Sequence, residues 1–186
     1  MKPPITYLPG FIANADGMYV ALQEAAWLRR EGSNRCEYYC NDFPLPYTYG
    51  RGRGVRTYQV QPYLPAILEI RAALENHALE KFEVCFLNRY LDQRDSLGWH
   101  ADDSPEMDDA RPIGIVSFGV EREIWFRSKS APSSNSIVKL KLGHGSLCLM
   151  DAGMQDAWEH RIPKASFQCG ERVSMTFRGY VQDAGC

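Results

Sequence analysis

The period of the apolar positions divides the chain into two parts. Before about residue 80, apolar side chains recur at helical spacing in two stretches. Residues 14–31 carry Met18, Val20, Leu22, Ala25, Ala26 and Leu28 and stop at Gly32, which predicts a helix. Residues 62–79 place Leu64, Ile67, Leu68, Ile70, Ala73 and Leu74 on one side and predict a second. Between them, residues 33–58 hold five tyrosines and the basic run GRGRGVR. That composition argues against regular structure and predicts an extended, ligand-facing loop region or hairpin. After Glu80 the period becomes two. FEVCFLNRY (82–90), PIGIVSFG (112–119), EIWFR (123–127), SIVKLKLG (136–143), SLCLMDA (146–152), AWEHRIP (157–163) and RVSMTFRGYV (172–181) are short and rich in β-branched and aromatic residues. Turn residues at Gly119, in SKSAPSSNS and at Gly143-His144-Gly145 separate them. Helices followed by a run of strands predict an α+β, mainly β fold, with the strands in a sandwich or jelly roll.

The 186 residues suit one domain, and 45% hydrophobic with 24% charged residues is the composition of an ordinary globular protein. No apolar run reaches the ~18 residues that a membrane span needs. The opening MKPPITYLPGF lacks the apolar stretch of a signal peptide, so the expectation is a cytoplasmic protein, or a nuclear one if the source is eukaryotic. A monomer that does not engage a membrane is expected. The six cysteines follow no framework spacing; Cys85 and Cys148, in apolar runs, read as buried thiols. Cys36 and Cys40 have no second Cys/His pair nearby to complete a zinc site. With a net charge of −2, any contact with nucleic acid has to come from a local patch.

The strongest chemical signal is His100-Ala101-Asp102, joined much later by His160. In extended backbone residues i and i+2 share a face, so His100 and Asp102 can point into one space and His160 can meet them from a distant strand. Two imidazoles and a carboxylate on one face of an octahedral ion leave three positions open, a set suited to Fe(II) and oxygen. Taken alone, His-x-Asp is also what a surface turn with a capping aspartate contains. The arginines add to the case. Arg172 and Arg178 stand an even number of residues apart in RVSMTFR and emerge on one face with Ser174 and Thr176 between them. Such a pair would hold a dianion with a carboxylate at each end; two arginines on an exposed edge strand are the plainer alternative.

Several further segments carry a family resemblance. Asn88-Arg89-Tyr90, Trp99-His100-Ala101-Asp102-Asp103, IVSFG (115–119), HGSLCLMDAGMQDAWEHRIPK (144–164) and ERVSMTFR (171–178) occur in the order, and at spacings compatible with those, of the AlkB-type 2-oxoglutarate/Fe(II) dioxygenases, the nucleic-acid demethylases. The chain resembles that family from Phe82 to Val181, and more loosely back to about Arg35. The resemblance implies a double-stranded β-helix over 82–181, with 1–81 supplying N-terminal helices packed on the sheet and a nucleotide-recognition region. It implies His100, Asp102 and His160 as Fe(II) ligands, and Asn88, Tyr90, Arg172, Thr176 and Arg178 as contacts to 2-oxoglutarate. Arg172 would grip the carboxylate remote from iron and Arg178 the nearer end. Position 174 is Ser where the family usually shows Asn.

The implied reaction uses O2 and 2-oxoglutarate to hydroxylate an N-methyl carbon, giving succinate, CO2, formaldehyde and the repaired base in alkylated DNA or RNA. The 1-methyladenine and 3-methylcytosine type of lesion is implied, because an acid at Asp103 would favour a cationic base. By the same resemblance Tyr49 would stack the flipped base opposite His100, Tyr47 would offer a polar tip, and Arg35 would touch the nucleic acid. Arg51, Arg53 and Arg56 are candidates for phosphates, or a solvated basic loop. Trp99, Trp125 and Trp158 read as core or pocket wall, and His77 and His144 as structural. Two other readings stay open: the same chemistry on a protein side chain or small molecule, and a jelly-roll binding module without catalysis. A zinc hydrolase on a similar barrel would leave the two arginines without a purpose.

Overall fold

The computed structural model describes residues 2–50, 55–132 and 136–181. Arg51 and Arg53 lie outside the described residues. Among the described residues, twelve strands and three helices follow one another as β1 (Ile5–Leu8), α1 (Ala15–Leu22), β2 (Cys36–Asn41), β3 (Tyr47–Tyr49), β4 (Arg56–Tyr58), α2 (Pro65–Ala78), β5 (Val84–Tyr90), β6 (Leu97–His100), β7 (Ile113–Gly119), β8 (Arg122–Ser128), β9 (Val138–Leu142), β10 (Ser146–Met150), α3 (Met154–Ala157), β11 (Trp158–Ile162) and β12 (Arg172–Arg178). A six-stranded sheet runs β1-β10-β7-β12-β5-β2 and a four-stranded sheet β6-β11-β8-β9, with β3-β4 a separate hairpin. Every pairing is antiparallel. This is the jelly roll that the strand pattern predicts.

Alternation along the strands sends each large-sheet residue to one of two layers. Odd positions of β12 (Val173, Met175, Phe177) join Leu87, Val116, Phe118 and Leu147 in a core shared with Met18 and Leu22 of α1 and Ile67, Ile70 and Leu74 of α2. Burying each such side chain contributes about 1.5–3 kcal/mol. Gly114 allows α2 to come this close, because a Cβ there would lie 2.6 Å from Leu74 Cδ2. Even positions of β12 face the other sheet. They share that side with Phe86, Asn88 and Tyr90 of β5, since the register sets Arg172 opposite Tyr90, Ser174 opposite Asn88 and Thr176 opposite Phe86. Within this inner layer Ile113, Ile124, Phe126, Leu142, Met150 and Trp158 form a second apolar cluster, and a cavity that Ile124 also lines holds Asn88, Asp102, His160 and Arg178.

Three expectations need correction. The first helix ends at Leu22, nine residues short of the predicted limit. Beyond it the chain turns back, with Trp27 Nε1 donating to the Leu22 carbonyl and Leu28 forming a bridge with Glu37, so pairing with β2 outcompetes further helix. Within 33–58 the expected hairpin forms as the β3–β4 pair, but Cys36–Asn41 is a regular strand with all six residues buried, paired with β5. Its tyrosines pack on both faces, and their β propensity outweighs the turn-rich surroundings. Finally, Trp99 and Trp125 are only partly buried. They alternate with Arg127, Arg161 and Lys139, whose cationic groups lie 4.2–4.9 Å from the indole centroids. Trp158 alone of the three is core. His144 is structural, accepting the Gly119 N–H at Nδ1, 2.8 Å away. Among the described residues no helix is long and apolar enough to cross a membrane.

Candidate active site

His100 and His160 are register partners across the antiparallel β6–β11 pair, so their side chains leave the sheet on one face. Their ring centroids are 4.2 Å apart. Asp102 follows two residues after β6 ends, and its carboxylate lies 4.0 Å from His100 Nε2 and 3.7 Å from His160 Nε2. Those separations are too long for hydrogen bonds and match ligands that share an ion. Among the described residues this is the one group of three or more His, Cys, Asp and Glu whose ligand atoms all lie within 4.8 Å of one another. His100 Nδ1 is 2.9 Å from the Gly98 carbonyl. A proton on Nδ1 leaves the Nε2 lone pair free for a metal, the arrangement by which an outer partner fixes a ligand's tautomer.

Electrostatics keep the three groups in ligating form. Burial, together with the nearby His100, pushes the His160 imidazole down to about 3. Burial likewise lowers His100. Burial alone would raise the Asp102 carboxyl, but Arg178, then His160 and His100, hold it below the usual carboxylate range. The site therefore offers two neutral imidazoles and one carboxylate.

The cavity in front of this group is lined by Asn88, Tyr90, Ser174, Thr176 and Arg178 from the large sheet and by Leu97, Ile115, Ile124 and Ile162 as an apolar wall. Arg178 Nη1 is 3.4 Å from Asp102 Oδ1 and 3.4 Å from the Tyr47 hydroxyl. Arg172 is set behind the lining, fully buried, with its guanidinium 5.4 Å from the Tyr90 ring centroid. Its Nη2 donates to Ser117 Oγ (2.8 Å) and Ser174 Oγ (3.1 Å), while Nε and Nη1 have no partner. Burial drops its pKa to about 10, so it still carries charge at neutral pH. A buried cation with two idle donors is unfavourable unless an anion comes to it. With the donor set of the triad, this orphaned guanidinium is what a metal plus a dicarboxylate would satisfy.

The substrate-side candidates are more dispersed. Tyr49 lines the cavity edge-on to His100, with centroids 6.4 Å apart and planes at 80°. Tyr47 also lines it, but its ring stacks between Tyr39 and Tyr49 and its hydroxyl reaches Ser104 Oγ at 2.9 Å. Arg35 donates from Nε to Asn88 Oδ1 (2.5 Å) and from Nη2 to Glu37 (2.8 Å). Asp103 lies outside the cavity lining, half exposed and paired with Lys129 at 3.1 Å. Arg56 is 3.8 Å from Glu37. Sequence reasoning missed Ser117, Glu37 and Gln155. Ser117 was within reach, since period two puts it on the face of Ile115. Gln155, whose Oε1 accepts the Asp102 N–H at 2.9 Å, carries no sequence signal.

The profile of the 2OG-Fe(II) oxygenase superfamily matches residues 22–178. Human alpha-ketoglutarate-dependent dioxygenase alkB homolog 3 is 31% identical over 94% of this chain and 65% of its own length. The mouse protein of that name is 34% identical over 75% of this chain and 50% of its own length. Human DNA oxidative demethylase ALKBH2 is 34% identical over 74% and 53% respectively. The chain thus spans about half to just under two thirds of the length of these relatives. A solved structure titled "The structure of OsALKBH1" superposes with a TM-score of 0.67 at 14% identity, covering 97% of this chain and 98% of that one, which speaks for the fold.

Proposed function

Because the chain belongs to the 2OG-Fe(II) oxygenase superfamily, we propose that it is an Fe(II)- and 2-oxoglutarate-dependent oxidative demethylase of N-alkylated bases in DNA or RNA. The observation that carries this reading is the pairing of the His100–Asp102–His160 cluster with the buried, half-partnered Arg172. His100, Asp102 and His160 would hold Fe(II). Bound Fe(II) and 2-oxoglutarate supply, with O2, the oxidising power that hydroxylates an N-methyl carbon, yielding succinate, CO2 and formaldehyde.

The chain's own groups bind and orient. Arg172, with Nε and Nη1 unpartnered and the Tyr90 ring alongside, would neutralise the remote carboxylate of 2-oxoglutarate. Arg178 would serve the end next to Asp102, and Thr176 and Asn88 line the same cavity. Because Arg35 occupies Asn88 Oδ1, the amide presents Nδ2 as its donor. Leu97, Ile115, Ile124 and Ile162 keep water from the reacting carbon. At the mouth, Tyr49 offers a ring edge-on to His100 against which an extruded base packs, with Tyr47 and Arg35 beside it. Asp103 would favour a cationic lesion after release from Lys129. The names of the relatives, one a DNA oxidative demethylase, support nucleic acid as the target.

The test is a panel of 1-methyladenine and 3-methylcytosine oligonucleotides, single- and double-stranded, DNA and RNA, incubated with Fe(II), 2-oxoglutarate and air. Loss of the methyl group by mass, with formaldehyde and succinate in equal amount, is expected. No turnover of any oligonucleotide by protein that binds metal and 2-oxoglutarate would overturn the proposal. One observation favours a second target class. Arg35 is committed to Glu37 and Asn88, which takes a cation from phosphate binding, so succinate formed with protein extract but not with nucleic acid would point to a protein or small-molecule substrate.

A further inference from the structure

The β6–β11 ladder stops at the His100–His160 pair. Asp102 lies two residues past it, in a stretch without regular structure, yet is buried. No sheet partner fixes its backbone. The N–H of Asp102 instead donates to Gln155 Oε1 at 2.9 Å, a fully internal bond. Gln155 is itself buried, 3% exposed, and lies on α3, the short helix that runs directly into β11. It therefore stands on the same segment as His160, five residues upstream. A backbone N–H can only donate, so the amide must present its oxygen to Asp102. Its Nε2 then faces Met150 Sδ, 3.7 Å away. An N–H to sulfur contact is weak, so the strong half of this clamp is the one that holds Asp102.

We propose that Gln155 is a positioning residue that braces Asp102 against the strand carrying His160, so that the three ligand groups are already assembled before a metal arrives. The proposal rests on the metal-centre reading above. Outer partners that orient ligands are worth roughly 10–100-fold in metal affinity; Gln155 would act to the same end through the backbone of Asp102.

The test measures Mn(II) affinity of the full chain by electron paramagnetic resonance at a temperature well below unfolding, alongside a thermal melt of each metal-free protein. Gln155→Met keeps the volume and removes the acceptor; a 10–100-fold rise in the Mn(II) Kd is expected. Met150→Leu removes only the sulfur contact and should leave the Kd within twofold. A role confined to packing would lower the melting temperature of Gln155→Met but leave the Mn(II) Kd of the folded protein unchanged, and that result overturns the proposal. Equal weakening by Met150→Leu overturns it too. If Gln155→Met does not fold, Gln155→Asn, which withdraws the acceptor by one methylene, decides in the same assay. Wild-type protein that binds no Mn(II) would overturn the metal centre itself, an outcome distinct from a metal-binding wild type matched by its Gln155 variants.

Discussion

His100 and His160 are direct partners across one antiparallel strand pair, with ring centroids 4.2 Å apart and both Nε2 atoms within 4.0 Å of the Asp102 carboxylate. Sheet register, rather than loop flexibility, sets that spacing. A pair held in this way keeps its geometry without ligand, which is the preorganisation that a metal site requires.

Replacing Asp102 by Asn keeps the shape and removes the charge. Metal affinity should fall by tenfold or more. The metal-free protein should also lose stability, on the order of 3 kcal/mol, because Arg178 is left buried without its carboxylate. Denaturant melts of the metal-free variant and wild type check this.

Arg172→Met should act in the opposite direction on stability. The wild-type guanidinium is fully buried with Nε and Nη1 unpartnered, so an apolar side chain of similar length should raise the melting temperature of the metal-free protein. The same change should weaken 2-oxoglutarate binding to the Mn(II)-loaded protein by roughly 100-fold, the value of a lost charge-assisted contact of about 3 kcal/mol. Calorimetric titration reads the second effect. A variant that is both less stable and unaltered in binding would show that Arg172 is structural.

Much of this site is legible in the sequence because period two is a strict rule. The even positions of β12 and β5 share a face whatever the packing, so Arg172, Thr176, Arg178, Asn88 and Tyr90 fall on one side of the large sheet. The His100-x-Asp102 spacing is legible only to its first residue: His100 ends a strand and Asp102 lies beyond it, held by Gln155 and Arg178. What stayed hidden depends on distant partners. Nothing local tells that the first helix stops at Leu22, since the competitor for its C-terminal half is β2. Nor does the composition of 33–58 reveal that Tyr38, Tyr39 and Cys40 are buried, because their burial comes from pairing with β5, more than forty residues on.

Glu83 gives the fold an acid-sensitive clasp. It accepts from Arg111 at 3.0 and 3.1 Å and from the Tyr180 N–H at 2.9 Å, tying the segment that follows β12 to the residue that precedes β5. Burial would raise its carboxyl, but the Arg111 and backbone donors win and hold it below the ordinary 4.5. A lowered folded pKa means the unfolded chain binds more protons. The stabilisation is therefore complete above about 4.5 and is lost as pH falls through the lower folded value. Glu83→Gln should cost on the order of 1–2 kcal/mol at pH 7, and its unfolding curve should converge with wild type in acid.

The cysteines should divide by reactivity. Burial raises Cys40 and Cys148 to about 12 and Cys85 well above its usual value, so few thiolates form near neutrality. Alkylation of the native protein at pH 8 should label the partly exposed Cys169 and reach those three only after unfolding. Peptide mass mapping distinguishes the sites, and fast native labelling of Cys85 would contradict the packing of β2 on β5.

One metal ion and one dicarboxylate should fill this cavity together. A crystal structure with Mn(II) and 2-oxoglutarate, grown under anaerobic conditions, decides this. The ion should sit about 2.0–2.3 Å from His100 Nε2, His160 Nε2 and an Asp102 oxygen, with the remote carboxylate of 2-oxoglutarate bonded to Arg172. An ion bound elsewhere, or a filled metal site with Arg172 still lacking an anion, would contradict it.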